Sequence, residues 1–257
     1  MGEYVEINGH PTWIEVTGQG VPVVLLHAGF TNCDGLLGVF AGLRENHRLV
    51  AFDRRGHGRT ADTDAPFHYS DMATETIAVL EHLGAGAAHL VGFSDGGNVA
   101  LMVALARPDL VRSLVLISAN YHVDGVVPGA FDDLDEPGSE FVDYLLAPYA
   151  ERSPDGAEHF PVVVAKGVEM VSKEPTLTSE DLRRITVPVL VLVGDDDAIL
   201  PSHTLSLYES LPAGQLAVVP GASHLVPYEK PELIAQFVAD FLRSDGEVST
   251  MMPMRRA

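Results

Sequence analysis

The chain lacks several features that would assign it to a special class of protein. Only one of its 257 residues is cysteine, Cys33, so no disulfide can form within the chain. No apolar run is long enough to cross a bilayer, and the N-terminus shows neither a basic region nor a signal-peptide cleavage site. We therefore expect a cytoplasmic globular protein whose core needs no disulfide or metal, because a chain of this length buries more than roughly two-thirds of its surface.

Basic residues are also scarce. The chain has 16 Lys and Arg residues against 36 Asp and Glu residues, which gives a formal net charge of −20. Nucleic acids and anionic membranes both need a cationic binding surface, so we expect neither as a partner. The charge could favour cationic or neutral substrates, but a solvated acidic surface explains it more simply. We expect a small-molecule substrate, and the sequence leaves the oligomeric state open.

Apolar strand-like segments alternate with helical segments along most of the chain. Residues 4–16 have the pattern of a hairpin with Asn8-Gly9 at its turn. Buried strands are predicted at 21–27, 47–53, 89–93, 113–118, 187–193 and 215–219, and helices at 71–83, 98–106, 203–211 and 231–242. This alternation predicts the α/β fold class, with a mostly parallel sheet and helices on both faces. The predicted buried face of the last helix comprises Leu233, Ile234, Phe237, Val238, Phe241 and Leu242.

The alternation is interrupted once. Residues 120–181 are rich in Asp, Glu, Pro and Gly and contain helical patches at 140–146 and 161–171. We interpret them as a small helical cap inserted into a core formed by residues 1–119 and 182–243. The remaining residues, 244–257, are predicted to be a disordered tail.

The segment Gly92-Phe93-Ser94-Asp95-Gly96 is the most informative in the chain. It follows a predicted buried strand and precedes a predicted helix, which is the context of a nucleophile elbow. Small residues suit positions 92 and 96 because such a turn presses backbone segments together. The alternative interpretation is an ordinary strand-turn-helix with a surface serine.

A nucleophilic serine needs a histidine base and a group that orients it. Two downstream strand ends supply candidates. The acidic run Asp195-Asp196-Asp197 follows the strand at 187–193, and His224 follows the strand at 215–219. Because ligands bind at the carboxyl edge of open α/β sheets, these side chains are expected near Ser94.

With these motifs in this order, the chain resembles the α/β-hydrolase superfamily from Tyr4 to Leu242. The resemblance implies an α/β-hydrolase fold with an eight-stranded sheet and a Ser-His-Asp triad. The family pattern Gly-x-x-Asp with Pro four residues later falls on Gly194, Asp197 and Pro201 and favours Asp197 as the acid, with Asp195 and Asp196 as competitors. The family pattern Gly-x-x-His falls on His224. No cofactor is expected, and the other histidines show no metal-ligand spacing.

The resemblance also indicates an oxyanion hole, the pair of backbone amides that stabilises developing negative charge. The residue after the nucleophile, Asp95, would supply one amide. The second would come from His27-Ala28-Gly29-Phe30, which is similar to the family's His-Gly loop; either Gly29 or Phe30 could donate, and we favour Phe30. His27 itself is expected to be a structural hydrogen-bonding residue. The segment 53–60 resembles the family's Asp-x-Arg-Gly-x-Gly-x-Ser and is expected to support the fold.

The side chain of Asp95 has two interpretations. The stretch Gly-x-Ser-Asp-Gly-Gly is similar to valacyclovir-hydrolase-type (biphenyl hydrolase-like) enzymes, which act on amino-acid esters, so Asp95 could bind a substrate amine. Alternatively, it is a favourable acid in the first turn of a helix.

The resemblance therefore implies a serine hydrolase that cleaves a carboxylic ester, lactone or thioester through an acyl-enzyme. Expected substrate-binding residues are Gly29, Phe93, Phe131, Phe141 and Tyr144, and Tyr149 and Phe160 are further aromatic candidates in the cap. For each aromatic residue of the cap, packing between the helices of the cap is the alternative. A cofactor-free perhydrolase, a carbon–carbon bond hydrolase and a slow-turnover ligand sensor remain as alternatives. Haloalkane dehalogenases and epoxide hydrolases are disfavoured because they generally place an aspartate where this chain has Ser94.

Overall fold

The computed structural model describes residues 2–84, 86–135, 138–246 and 250–252. These residues form one eight-stranded sheet flanked by helices. Its strands are β1 (Glu3–Ile7), β2 (His10–Gly18), β3 (Val21–Leu26), β4 (His47–Phe52), β5 (Ala88–Phe93), β6 (Val111–Ile117), β7 (Val189–Asp196) and β8 (Gly214–Ser223). The helices are α1 (Cys33–Val39), α2 (Tyr69–Leu83), α3 (Asp95–Ala106), α4 (Glu140–Arg152), α5 (Phe160–Val171), α6 (Ser179–Arg183), α7 (Pro201–Ser210), α8 (Val226–Glu229) and α9 (Pro231–Arg243).

The strands follow the order β1-β2-β4-β3-β5-β6-β7-β8 across the sheet. Strand β2 runs antiparallel to β1 and to β4, and the remaining neighbouring pairs are parallel. The carboxyl ends of the parallel strands therefore meet at one edge of the sheet. The predicted α/β class and mostly parallel sheet are confirmed.

The first two strands form the predicted hairpin. Ile7 pairs with His10, and the two residues between them, Asn8 and Gly9, have φ angles of 51° and 80°. Positive φ at both central positions defines the tight turn that matches the twist of a hairpin, and Asn-Gly is the sequence that adopts it most readily.

Apolar side chains on the two faces of the sheet form separate cores. Along β3, Val24 and Leu26 pack with Val99 of α3 on one face. Leu25 points to the opposite face, where it packs with Ile234 of α9. This alternation explains why the strand is continuously apolar, since a strand covered by helices on both sides has no solvent-facing positions.

The predicted buried face of α9 is partly wrong. Ile234, Val238, Phe241 and Leu242 are buried, but Leu233 is 43% exposed and Phe237 is 37% exposed. The four buried residues follow one another at intervals of four, three and one positions, so they form a narrow stripe along the helix. The prediction from all six apolar residues made this buried face too wide. Leu233 and Phe237 lie beside this stripe, on the flank of the helix.

Residues 118–188 connect β6 to β7 and are called the β6–β7 segment below. The segment contains α4, α5 and α6, in agreement with its predicted helical character. Ion pairs join it to the core: Arg152 Nε to Asp34 Oδ2 at 2.7 Å, Lys166 Nζ and His159 Nε2 to Asp62 Oδ2 at 2.6 and 2.9 Å, and Glu174 Oε1 to His68 Nδ1 at 2.6 Å. The division of the chain into a core and a separate cap at residues 120–181 stays a prediction.

The chain after α9 begins with a turn that contacts the core. Arg112 Nη2 lies 2.7 Å from Asp245 Oδ2, and Gln215 Nε2 donates to the Gly246 carbonyl at 2.9 Å. Most of the tail predicted to be disordered, residues 247–249 and 253–257, lies outside the described residues. Across the described ranges, every helix is too short or too polar to span a bilayer.

Candidate active site

Ser94 occupies a sharp turn between a strand and a helix. Strand β5 ends one residue before it and α3 begins one residue after it. Its φ of 53° lies in a region that L residues rarely adopt. A Cβ at Gly92 would lie 2.2 Å from the Gly96 carbonyl oxygen, and a Cβ at Gly96 would lie 2.0 Å from the Leu26 carbonyl oxygen. Both glycines are therefore required by the close approach of the backbone, as expected for a nucleophile elbow.

The three side chains predicted as a triad form a continuous chain of hydrogen bonds. His224 Nε2 lies 3.0 Å from Ser94 Oγ, and His224 Nδ1 lies 2.7 Å from Asp197 Oδ1. When Nδ1 donates to the carboxylate, Nε2 is left as the acceptor for the serine hydroxyl. Asp197 follows β7 and His224 follows β8, so the ends of neighbouring strands bring them together.

Asp197 is held by several donors besides His224. Its Oδ2 accepts from Ser118 Oγ at 2.6 Å, and its Oδ1 accepts from the Ile199 amide at 3.1 Å. Burial raises the pKa of the Asp197 carboxyl, but these hydrogen bonds and the nearby His224 outweigh burial, so the pKa lies below its ordinary value. The carboxylate is thus ionised at neutral pH and its orientation is fixed. Ser118 was not predicted, although it directly follows β6 at the same edge of the sheet.

The two competing acids lie elsewhere. Asp195 Oδ1 accepts from the backbone amides of Gly221 and Ala222, at 2.7 and 3.3 Å, and so caps the turn within β8. Asp196 is exposed to solvent. Of the three acids, Asp197 is the one that contacts His224.

The loop 27–30 lies beside Ser94. Gly29, Phe30, Ser94 and Asp95 all line the same cavity. Phe30 has a φ of 58°, and a Cβ at Gly29 would lie 2.4 Å from Asp95 Oδ2. The loop therefore needs glycine at position 29, where the carboxylate of Asp95 presses against it. The choice between the Gly29 and Phe30 amides as the second oxyanion donor stays a prediction.

His27 supports this loop from below. Its Nδ1 lies 2.7 Å from the Ala28 carbonyl oxygen, and its Nε2 accepts from the Arg54 amide at 3.1 Å. Burial holds the pKa of His27 well below its usual value, so the ring is neutral. Its contacts are those of a structural hydrogen-bonding residue, and the described residues that line the cavity do not include it.

The Asp95 side chain is buried and already engaged. Tyr69 Oη donates to Asp95 Oδ1 at 2.5 Å, and both residues line the cavity. Burial raises the pKa of the Asp95 carboxyl, while the positive charge of Arg54 opposes this shift. Asp95 also lies in the first turn of α3, where an acid is favourable. Binding of a substrate amine by Asp95 stays a prediction. Tyr69 was missed because nothing in the sequence connects the start of α2 with the elbow.

A cavity of about 80 Å³ is lined by Ser94 and His224. Its wall includes all five residues predicted to bind substrate, namely Gly29, Phe93, Phe131, Phe141 and Tyr144. The wall is mostly apolar, and two carboxyl groups, those of Asp95 and Glu174, belong to it. Glu174 and Asn120 also line the cavity, and no sequence motif indicates either residue.

Two further aromatic candidates, Tyr149 and Phe160, are not among the described residues that line this cavity, in agreement with the alternative that they pack between helices of the insertion. Tyr149 and Phe160 are buried, and their ring centroids lie 5.0 Å apart at the junction of α4 and α5. They pack against each other and belong to the same apolar core as Val24 and Leu26 of β3.

A profile of the alpha/beta hydrolase family matches residues 23–237. This chain belongs to the alpha/beta hydrolase family. A bifunctional esterase/perhydrolase of Acinetobacter calcoaceticus is 33% identical over 257 aligned residues, covering 88% of this chain and 93% of that protein. A non-heme chloroperoxidase of Streptomyces lividans is 29% identical over 243 residues, covering 79% of this chain and 88% of that protein.

The solved structures agree with this family. An esterase from Thermogutta terrifontis superposes with a TM-score of 0.78 over 96% of this chain and 100% of that chain, at 24% sequence identity. At that identity the likeness concerns the alpha/beta hydrolase fold. The family match and the Acinetobacter calcoaceticus relative show that the protein is a hydrolytic enzyme.

The segment 53–60 stabilises the alpha/beta hydrolase core. Asp53 Oδ1 accepts from the Cys33 amide and Oδ2 from the Arg59 amide, each at 2.8 Å. Thr60 Oγ1 accepts from the Trp13 amide at 3.0 Å. Asp53 thus joins the start of α1 to the turn after β4, and the described lining of the cavity contains none of these residues. In the described part of the chain, no three His, Cys, Asp or Glu side chains are grouped as a metal site would require.

Proposed function

We propose that this alpha/beta hydrolase is a serine hydrolase that cleaves a carboxylic ester, lactone or thioester through an acyl-enzyme. The observation that carries the proposal is the hydrogen-bonded series Ser94, His224 and Asp197 on the wall of a mostly apolar cavity. Each residue makes the contact that its role requires: the Ser94 hydroxyl is hydrogen-bonded to the His224 base, and His224 is hydrogen-bonded to the buried carboxylate of Asp197.

In the proposed reaction, Ser94 Oγ attacks the substrate carbonyl carbon while His224 Nε2 accepts the hydroxyl proton. The carbonyl oxygen gains negative charge and is stabilised by the Asp95 amide and by the Phe30 or Gly29 amide. One such donor typically contributes about 2.7–4 kcal/mol. His224 then gives its proton to the departing alcohol, or thiol for a thioester. A water molecule attacks the acyl-enzyme in the second half and restores Ser94.

The β6–β7 segment supplies the aromatic wall of the cavity. Phe131, Phe141 and Tyr144 contact the space in front of Ser94, which supports a role for residues 120–181 as a lid over the acyl group. The mostly apolar wall in front of Ser94 suits an apolar acyl group. Selectivity for the acyl group would then depend on this segment, while the attack depends on the core.

The direct test measures purified protein against a panel of esters, lactones and thioesters, with p-nitrophenyl acetate as the first substrate. We expect steady turnover, a single fluorophosphonate label on Ser94, and loss of both in Ser94→Ala with an unchanged melting temperature. Turnover by Ser94→Ala equal to that of the parent would overturn the proposal. A single burst without further turnover would favour the ligand sensor.

A second candidate is perhydrolysis, which the Acinetobacter calcoaceticus and Streptomyces lividans relatives favour. In this reaction hydrogen peroxide takes the place of water, so the acyl-enzyme is released as a peracid that oxidises halide. The test is bromination of monochlorodimedone with acetate and peroxide present. Bromination that needs acetate and Ser94 supports this activity, and its absence at peroxide concentrations that leave esterase activity intact excludes it.

A further inference from the structure

An arginine lies buried beneath the loop 27–30. Arg54 is 1% exposed, and its Nη2 donates to the Ala28 carbonyl oxygen at 3.1 Å. Its Nε and Nη1 atoms are also buried, and they have no hydrogen-bond partner among the described residues. A buried guanidinium with unsatisfied donors is unfavourable unless an opposite charge compensates it.

The negative charge that compensates Arg54 comes chiefly from Asp95, with smaller influences from Glu75 and Asp53. Burial lowers the pKa of Arg54, and the carboxylate of Asp95 is the strongest influence that opposes this shift. The relation is reciprocal, because burial raises the pKa of Asp95 and Arg54 is the strongest influence that opposes it. Tyr69 completes the group by donating its hydroxyl to Asp95 Oδ1. The two charges are therefore a buried couple in which each partner reduces the cost of burying the other.

Both members of the couple act on one peptide unit. The Ala28 carbonyl oxygen receives Arg54 Nη2 at 3.1 Å, Thr31 Oγ1 at 3.0 Å and His27 Nδ1 at 2.7 Å. On the other side of the same peptide, Asp95 Oδ2 lies against Gly29, at 2.4 Å from the position of a Cβ. The Ala28–Gly29 peptide is thus held at its carbonyl by Arg54 and at the following Cα by Asp95. This peptide leads directly into the two candidate oxyanion donors.

We infer that Arg54 and Asp95 are positioning residues that together fix the conformation of residues 27–30, called the oxyanion loop below. In this inference the Asp95 side chain holds the loop and does not bind a substrate amine. The inference rests on the proposed serine hydrolase function. Without Arg54, an uncompensated carboxylate lies where the transition state develops negative charge. Without Asp95, an unpaired buried cation pulls on the Ala28 carbonyl. Removal of both charges restores neutrality.

The experiment is a double-mutant cycle of Arg54→Met, Asp95→Asn and the double variant, measured with p-nitrophenyl acetate. Fluorophosphonate titration gives the fraction of active protein, so kcat is expressed per active site. We expect each single substitution to lower kcat by about 10- to 100-fold with little change in KM, since a displaced oxyanion donor costs somewhat less than a deleted one. The double variant should be faster than either single variant, and therefore at least about tenfold faster than the product of the two single effects predicts.

Arg55→Met is the matched control. Arg55 is the neighbouring arginine, but its guanidinium donates to the Thr63 hydroxyl and to the Ala65 and Pro66 carbonyls, away from the oxyanion loop. We expect its kcat per active site to equal that of the parent. If kcat per active site fell as much in Arg55→Met as in Arg54→Met, the loss would reflect general destabilisation, and the inference would be overturned.

Two further outcomes would also overturn it. Strictly multiplicative single effects would show that the charges act independently. A loss in Asp95→Asn that is confined to an α-amino ester, with its deaminated analogue unaffected, would show an amine-binding site. If Arg54→Met fails to fold, the double variant is compared with Asp95→Asn, and the inference requires the double variant to be faster. Turnover by the unsubstituted protein tests the proposed function separately.

Discussion

The floor and the roof of the cavity are built differently. The floor comprises the lining residues 28–31, 93–95, 199 and 224, together with Asp197, which contacts His224; all of them lie at or just after the carboxyl ends of β3, β5, β7 and β8. There, hydrogen bonds from buried backbone and side chains hold each reactive group, as they do for Asp197. The roof comprises the lining residues of the β6–β7 segment, which are mainly apolar, and ion pairs at its margin connect that segment to the core.

This difference assigns separate roles to the two parts. Because the floor is fixed by directional bonds, small displacements there should lower the rate of reaction for all substrates. The roof contributes surface and shape, so changes there should alter which acyl groups bind. Four substitutions, ordered by expected effect, test the separation.

The largest effect is expected for the floor substitution Asp197→Asn. The amide keeps the shape but cannot stabilise a protonated His224, and it favours the wrong tautomer. We expect kcat to fall by about 10³- to 10⁴-fold with an unchanged fold by circular dichroism. Asp195→Asn is the control, because Asp195 caps a backbone turn, and it should retain nearly full activity. A larger loss of kcat in Asp195→Asn than in Asp197→Asn would show that Asp195 is the triad acid.

Gly167→Ala tests whether the roof is independent of the floor. A Cβ at Gly167 in α5 would lie 2.3 Å from Phe30 Cε1, so the added methyl must displace the Phe30 ring. We expect kcat to fall about tenfold for all esters, since small misplacements at a reacting centre are costly. Gly38→Ala in α1 is the control, because a Cβ there meets no atom within 4 Å. Equal activity of Gly167→Ala and Gly38→Ala would mean that the Phe30 ring moves aside without displacing the Phe30 backbone amide.

Phe141→Ala represents the roof alone. The substitution enlarges the cavity near the acyl group and leaves the triad contacts unchanged. We expect a shift of about three- to tenfold in kcat/KM toward longer acyl chains, somewhat below the roughly 10- to 200-fold that one methylene produces in a closely fitted apolar pocket. Labelling by a small fluorophosphonate should proceed at the parent rate. Val162→Ala, on an exposed position of α5, should leave the chain-length profile unaltered. If Phe141→Ala lowered kcat/KM equally for all esters, Phe141 would act on the reaction step as the floor residues do.

The smallest effect concerns the ion pair between His68 and Glu174. The hydrogen bond to Glu174 raises the pKa of His68 above 6.5, so folding is favoured by this pair below pH 6.5 and the benefit is lost as the pH rises through the raised pKa. His68 is largely exposed, and we expect His68→Gln to lower the melting temperature by about 1–2 °C at pH 6 and not at pH 9. Lys173→Gln removes another exposed pair, with Glu169, and its effect should be the same at both pH values.

Much of the fold follows from local sequence patterns. The continuous apolar strands, the Asn8-Gly9 turn and the glycines around Ser94 are local signals, and each predicted element is present. Helix α1 was missed because its sequence, CDGLLGV, contains two glycines and shows no clear helical period. The outline of the triad was also predictable, because strand ends of a parallel sheet converge at one edge.

Other features depend on contacts between distant parts of the chain. Some residues that hold groups of the site are far from those groups in the sequence, namely Ser118, Tyr69 and Arg54. No local sequence pattern predicts such long-range partners. Tyr149 and Phe160 show the converse, since aromatic composition does not reveal whether a ring faces a cavity or a neighbouring helix. The exposed flank of α9 has the same cause, because apolar residues outnumber the positions that the sheet covers.

The burial of Cys33 has a consequence for how this enzyme tolerates oxidants. The thiol is fully enclosed, and burial raises its pKa, so almost no thiolate forms at neutral pH. Sulfenic acid formation requires an accessible thiolate, which this residue does not offer. The protein should therefore need no reducing agent in storage, and mass spectrometry after peroxide treatment should show the cysteine unmodified.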